Sequence, residues 1–201
     1  MSASAGAIHV ALAPFPAELG RRERVTASGR AAAAARLHAV QRAGAPPELG
    51  QAWPRDEAGA PAARAGWHAS FADTAGLAAA LVARVPAALD VEWLGRPRWQ
   101  AARARFAEEG ELARLGADDR ASVLALWTAK EAVLKLARVG LADLARCPLV
   151  ARTEQGFVLW HRGSERSVRV LAHGAHVLAV ACESELALEL SSLAAEPAEV
   201  A

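Results

Sequence analysis

The chain has 201 residues, with 23 basic and 22 acidic side chains and a formal net charge of +1 at pH 7. This length suits one compact domain or two small fused halves with a real core, and the near-neutral balance gives no field to attract nucleic acid or an anionic membrane. Cys147 and Cys182 are too few for a disulfide framework and form no C-x-x-C pair. No apolar run reaches the roughly 20 residues of a membrane span, and the opening residues 1–9 lack the regions of a secretory signal, so a cytoplasmic monomer is expected.

In chain order, Ala7 to Phe15 is apolar and closed by Pro14 and Pro16, which predicts a first strand. Ser28 then suits the cap of an Ala-rich helix from Arg30 to Arg42. Residues 43–61, rich in Pro, Gly and charge, read as a loop. Trp67 to Ser70, Leu77 to Ala83 and Ala87 to Trp93 read as short strands. The middle one opposes the helix bias of its alanines and rests on its length and the breakers around it. A helix is predicted from Trp99 to Leu115, then a longer one capped by Asp118 or Asp119 that runs to about Val139 before Gly140. Three strands follow, at Gly156 to Trp160, Ser167 to Leu171 and His176 to Cys182, with Arg-Gly-Ser-Glu and His-Gly-Ala turns between them as in an antiparallel meander. Residues 190–201 read as a frayed tail.

Two short stretches carry chemistry. In the strand Ala88-Leu-Asp90-Val-Glu92, alternation sends both carboxylates to one face. Two acids on one face repel unless a cation stands between them, and Mg²⁺ characteristically takes one or two carboxylates plus substrate phosphates. The second stretch is Trp127-Thr-Ala-Lys130-Glu131-Ala-Val-Leu-Lys135, which holds both lysines of a chain that otherwise uses twenty-one arginines. An ammonium is a compact point charge whose pKa shifts, whereas a guanidinium never gives up its proton. Glu131 and Lys135 share a helix face in the order that favours an ion pair, with Trp127 one turn earlier. By itself each motif also fits a solvated strand face or an ordinary surface ion pair.

Together, the D-x-E strand and the W-x-x-K-E-A-x-x-K helix resemble the signature of the 4′-phosphopantetheinyl transferase superfamily, in its Sfp type. Arg138-Val-Gly140-Leu141 is similar to the end of that signature. Arg105-Phe106 with Glu111, Arg55 to Pro61, and Trp67-His-Ala-Ser70-Phe-Ala resemble further family stretches. The departures are Ala88 for Gly, Ala60 for Lys or Arg, and Phe71 for a phosphate-contacting His.

The resemblance implies an α+β protein of two similar halves in pseudo-two-fold relation, each a small antiparallel sheet with packed helices, and an active site in the cleft between them. The halves would be 1–88 and 89–189, followed by the tail 190–201. The implied reaction is Mg²⁺-dependent transfer of 4′-phosphopantetheine from CoA to a serine of an acyl or peptidyl carrier protein, releasing 3′,5′-ADP. Asp90, Glu92 and Glu131 would hold the metal, with Glu131 and Lys135 catalytic. Lys130, Lys135, Ser70, His68 and Arg36 would bind CoA, Arg36 through its 3′-phosphate. The rival expectation, motivated by Phe71 and Ala60, is a non-catalytic CoA- or carrier-binding descendant of the same fold.

Overall fold

The computed structural model describes residues 7–57, 59–183 and 187–194. They divide into two compact units, one of 7–87 with 187–194 and one of 88–183.

The first unit starts with β1 (Ala7–Pro14) and α1 (Arg21–Ala43). The helix begins nine residues before the expected Arg30. Gly20 donates its N–H to Glu23 Oε2 at 3.1 Å, which supplies the N-terminal stop that Ser28 was expected to provide. Ser28 instead sits inside the helix and donates its hydroxyl to Asp73 at 2.7 Å. Gly44, in the left-handed region at φ 67°, ends the helix. The expected loop contains a short helix, α2 (Glu48–Gln51). Next come β2 (His68–Thr74), longer than expected, and β3 (Leu77–Ala83), every residue of which is buried. Burial thus outweighs alanine's helix bias in β3.

Strand order in this sheet is β2-β3-β1-β9, where β9 (Ala187–Ser192) runs parallel to β1. Two expectations are corrected here. The sheet is mixed rather than antiparallel, and the first residues of the expected tail, Leu190 to Ser192, pair with Val10 to Leu12. The rest of that tail, 195–201, lies outside the described residues. Ala11, Ala13, Ala35, Ala39 and Val40 bring α1 and the sheet together in one core with Trp53 and Trp67. Small side chains on both surfaces permit that close approach.

The second unit carries β4 (Ala87–Trp93), α3 (Trp99–Phe106), α4 (Glu109–Leu115) and α5 (Arg120–Leu136). A 3-10 turn spans Leu141–Arg146, and β5 (Leu149–Thr153), β6 (Gly156–His161), β7 (Ser164–His173) and β8 (His176–Cys182) complete the unit. The one helix expected over Trp99 to Leu115 is broken at Ala107 and Glu108. Glu108 caps α4, its N–H donating to Glu111 Oε2 at 3.1 Å, while the Phe106 carbonyl accepts from Lys130 Nζ at 2.6 Å. Asp119 caps α5 by accepting from Ala121 and Ser122. That helix stops at Leu136, three residues before the expected end, and Arg138 turns to φ 56°.

Strand order is β4-β8-β7-β6-β5, and β5 to β8 form an antiparallel meander. The β6–β7 hairpin turns on Arg162 and Gly163, both at positive φ, as a two-residue connection of this twist requires. The sequence reading missed β5, which is exposed along most of its length and so lacks an apolar pattern. The apolar face of α5, with Val123, Leu126, Trp127 and Val133, packs with Phe106, Leu149, Phe157, Leu159 and Ala179 in one core. Among the described residues, no helix is long and apolar enough to cross a membrane.

Candidate functional site

The candidate site lies within the second unit, where β4 meets α5. Strand alternation places Asp90 and Glu92 on one side of β4, while a single turn of α5 aligns Glu131 with Lys135. Lys135 Nζ donates to Asp90 Oδ1 at 2.7 Å and to the Leu89 carbonyl at 3.3 Å. Asp90 is buried, and its second oxygen, Oδ2, is buried with no hydrogen-bond partner.

That orphan oxygen is explained by its neighbour. The Glu131 carboxyl is pushed up to about 9, chiefly by burial, then by the charge and close contact of Asp90, with Glu92 adding to the effect and Lys135 opposing it. At neutral pH the Asp90–Glu131 pair therefore carries a proton, the usual outcome when two carboxylates share a site. Glu131 can accept a proton from a substrate only in a state where another cation has displaced its own.

Glu92 faces different company. It forms an ion pair with Arg96, in the turn after β4, and the Arg96 guanidinium lies 5.2 Å from the centre of the Trp127 ring. Burial pushes the Glu92 carboxyl up, Arg96 opposes that shift and Asp90 reinforces it. The Trp127 indole nitrogen is turned toward Glu92 without a formed hydrogen bond. Among the described residues, no three His, Cys, Asp or Glu side chains are gathered into a ready metal-holding group. The reason is visible in the pairings, because Arg96 retains Glu92 while Lys135 takes one oxygen of Asp90. Still, a buried, unpartnered carboxylate oxygen beside a second carboxyl is an all-oxygen donor set of the kind a hard divalent cation takes.

Lys130, expected at a phosphate, is fully buried, with Nζ at 2.8 and 2.9 Å from the two oxygens of Glu111 and 2.6 Å from the Phe106 carbonyl. Glu111 completes its own shell by accepting from the backbone N–H of Leu149 at 2.6 Å and of Glu108. This network ties α3, α4, α5 and β5 together.

In the first unit, Arg36, expected at the 3′-phosphate of CoA, meets two backbone carbonyls. Nε donates to the Gly50 carbonyl at 3.0 Å and a terminal nitrogen to that of Gln51 at 2.7 Å, so the guanidinium caps the end of α2. It lies 6.0 Å from the Phe71 ring centre, and Phe71 in turn meets Trp53 edge-on at 6.2 Å. Ser70 is buried in β2, His68 is half-buried, and both already have interaction partners. Sequence reasoning overlooked Arg96. The only signal was its place four residues after Glu92 in Gly95-Arg-Pro97, a spacing that pairs charges on a helix and here does so across a turn.

An acid-bearing strand and an ammonium-bearing helix meet at Asp90 in an α+β unit. Residues 86–181 match the family model of the 4′-phosphopantetheinyl transferase superfamily, and this segment belongs to that superfamily of transferases. No curated protein is similar enough to the chain to count as a match.

Proposed function

We propose that the chain is an Sfp-type transferase that moves 4′-phosphopantetheine from CoA to a serine of an acyl or peptidyl carrier protein. The serine oxygen forms a bond to the β-phosphorus of CoA, the bond from that phosphorus to the bridging oxygen breaks, and 3′,5′-ADP leaves. The observation that carries this reading is the Lys135–Asp90 contact at 2.7 Å beside the buried Asp90 Oδ2 that lacks a partner. Asp90 and Glu131 would hold Mg²⁺, which when bound neutralises charge on the diphosphate oxygens. Lys135, its side chain 38% exposed, presents its remaining donor to the departing phosphate, and Glu131 in its ionised form accepts the serine proton.

Incubating the chain with an apo-carrier protein, CoA and Mg²⁺ and weighing the carrier by mass spectrometry tests the reading. A gain of one phosphopantetheine group supports it. Hydrolysis of CoA without a carrier adduct would replace it with a phosphohydrolase. CoA binding without either reaction favours the non-catalytic alternative, for which the supporting observation is the commitment of Arg36 and Phe71 to packing.

A further inference from the structure

Asp90 and Glu92 stand two residues apart on the same side of one strand, yet their surroundings differ in kind. Asp90 keeps a buried oxygen without a partner, pressed against Glu131. Glu92 has a guanidinium of its own, supplied by Arg96. That guanidinium lies over the face of Trp127, which is itself 8% exposed and fixed in the core of the unit. A planar cation stacked on an indole while paired to a carboxylate is held at two points. Leaving Glu92 would cost it both a charged hydrogen bond and a cation–π contact.

We propose that Arg96 withholds Glu92 from the metal, so that the divalent cation is held by Asp90 and Glu131 alone. Glu92 then acts as a positioning residue, fastening the turn after β4 to α5 through Arg96 and Trp127. Asp90 keeps one buried oxygen unmet whereas Glu92 is held by Arg96, and a cation enters where an oxygen is unmet. Glu92 is already neutralised by a partner that comes from its own turn. The proposal rests on the metal-dependent reading above and assigns its ligands, replacing the three-carboxylate set expected from the strand and helix motifs.

Mn²⁺ titrated into the full chain and followed by electron paramagnetic resonance, with CoA absent and then present, decides it without recourse to turnover. Asp90→Asn and Glu131→Gln are each expected to weaken Mn²⁺ by at least about thirtyfold, as loss of a direct ligand should exceed much of the 10–100-fold range seen for supporting partners. Glu92→Gln is expected to stay within about threefold of the wild type, as for a site energetically separate from the ligands. Arg96→Ala is expected to tighten Mn²⁺, because the freed carboxylate becomes a third ligand, and the double variant Arg96→Ala with Glu92→Gln should lose that gain. Should Arg96→Ala fail to fold on a thermal melt, Arg96→Gln takes its place.

Weakening by Glu92→Gln equal to that by Asp90→Asn would overturn the proposal while leaving the transferase reading intact. Tightening that persists in the double variant would overturn it too, since the gain would then come from removing a positive charge and not from Glu92. A wild-type chain that binds no Mn²⁺, even with CoA, would sink the metal-dependent reading and this inference with it.

Discussion

Around Asp90 in the second unit, residues of one motif stand together with a buried oxygen left unmet; around Arg36 in the first unit, residues of another are tied into packing. Lys135 reaches Asp90 from α5 at 2.7 Å, and Asp90 Oδ2 is still without a partner. Arg36 caps α2 through two carbonyls, and Phe71 is packed on Trp53. A polar group still owed a partner is a candidate for a ligand, whereas one already satisfied is part of the scaffold. The same contrast separates the two lysines of α5. Lys130 is enclosed by Glu111 and the Phe106 carbonyl, while Lys135, five residues on, is partly exposed.

The largest expected effect falls on the unit with the unmet oxygen. Asp90→Ala should reduce kcat/KM for carrier loading by at least about a thousandfold, a loss of roughly 4 kcal/mol in transition-state stabilisation. The fold should stay intact, and relief of the Asp90–Glu131 crowding should leave the melting temperature unchanged or higher. Wild-type-like turnover at saturating Mg²⁺ would erase the contrast.

Lys135→Arg and Lys130→Met then separate the two lysines. Lys135→Arg keeps the charge but replaces a point ammonium with a bulkier fork, and about a hundredfold loss is expected, mainly in kcat. Lys130→Met leaves Glu111 as an uncompensated buried charge and should cost about 3–5 kcal/mol in urea unfolding. The double variant with Glu111→Leu should recover much of that loss, because an apolar pair can replace a buried ion pair. Retained activity in Lys135→Arg, or full stability in Lys130→Met, would mean that the assignment of roles is wrong.

In the first unit, Phe71→Ala is expected to lower stability by about 2 kcal/mol, below the 3–5 of a fully buried ring, with little change in CoA affinity by calorimetry. Phe71→His should likewise leave affinity unchanged, since the ring position lies against Trp53 and Arg36. A marked tightening of CoA by Phe71→His would instead make this position part of a phosphate site.

The smallest expected effect is a pH dependence. Burial lowers the pKa of His9, with Arg42 acting in the same sense and Glu189 opposing. It also lowers that of His161, with Arg162 and Arg166 acting in the same sense and Asp143 opposing. Both folded-state values lie below the ordinary 6.5. At these two sites the unfolded chain therefore binds more protons just below that pH, so the histidines' contribution to stability is complete above about pH 6.5 and is lost as the solution becomes more acid. Relative to His9→Gln, the wild-type urea midpoints should show this decline between pH 7.5 and 5.5, because the raised Glu131 carboxyl acts in the opposite sense equally in both proteins. A decline unchanged in His9→Gln would remove His9 as a contributor.

Sequence alone identified the elements that periodicity and breakers define sharply. β3 and β4 occur at the expected residues, Asp119 caps α5, and the meander of β6, β7 and β8 is present. It also selected Asp90, Glu131 and Lys135, because a D-x-E strand and a K-E-A-x-x-K helix each fix which side chains share a face. It could not show which partner each charge would take. The Glu111 that claims Lys130 is nineteen residues away, and the hydrogen bond from Leu149 that completes Glu111 comes from a strand with no apolar pattern to announce it. The strand β9 was equally hidden, since its pairing with β1 joins residues nearly the whole chain apart. Local rules determine where a side chain points, but whether its charge is already met depends on groups that only the folded chain brings alongside.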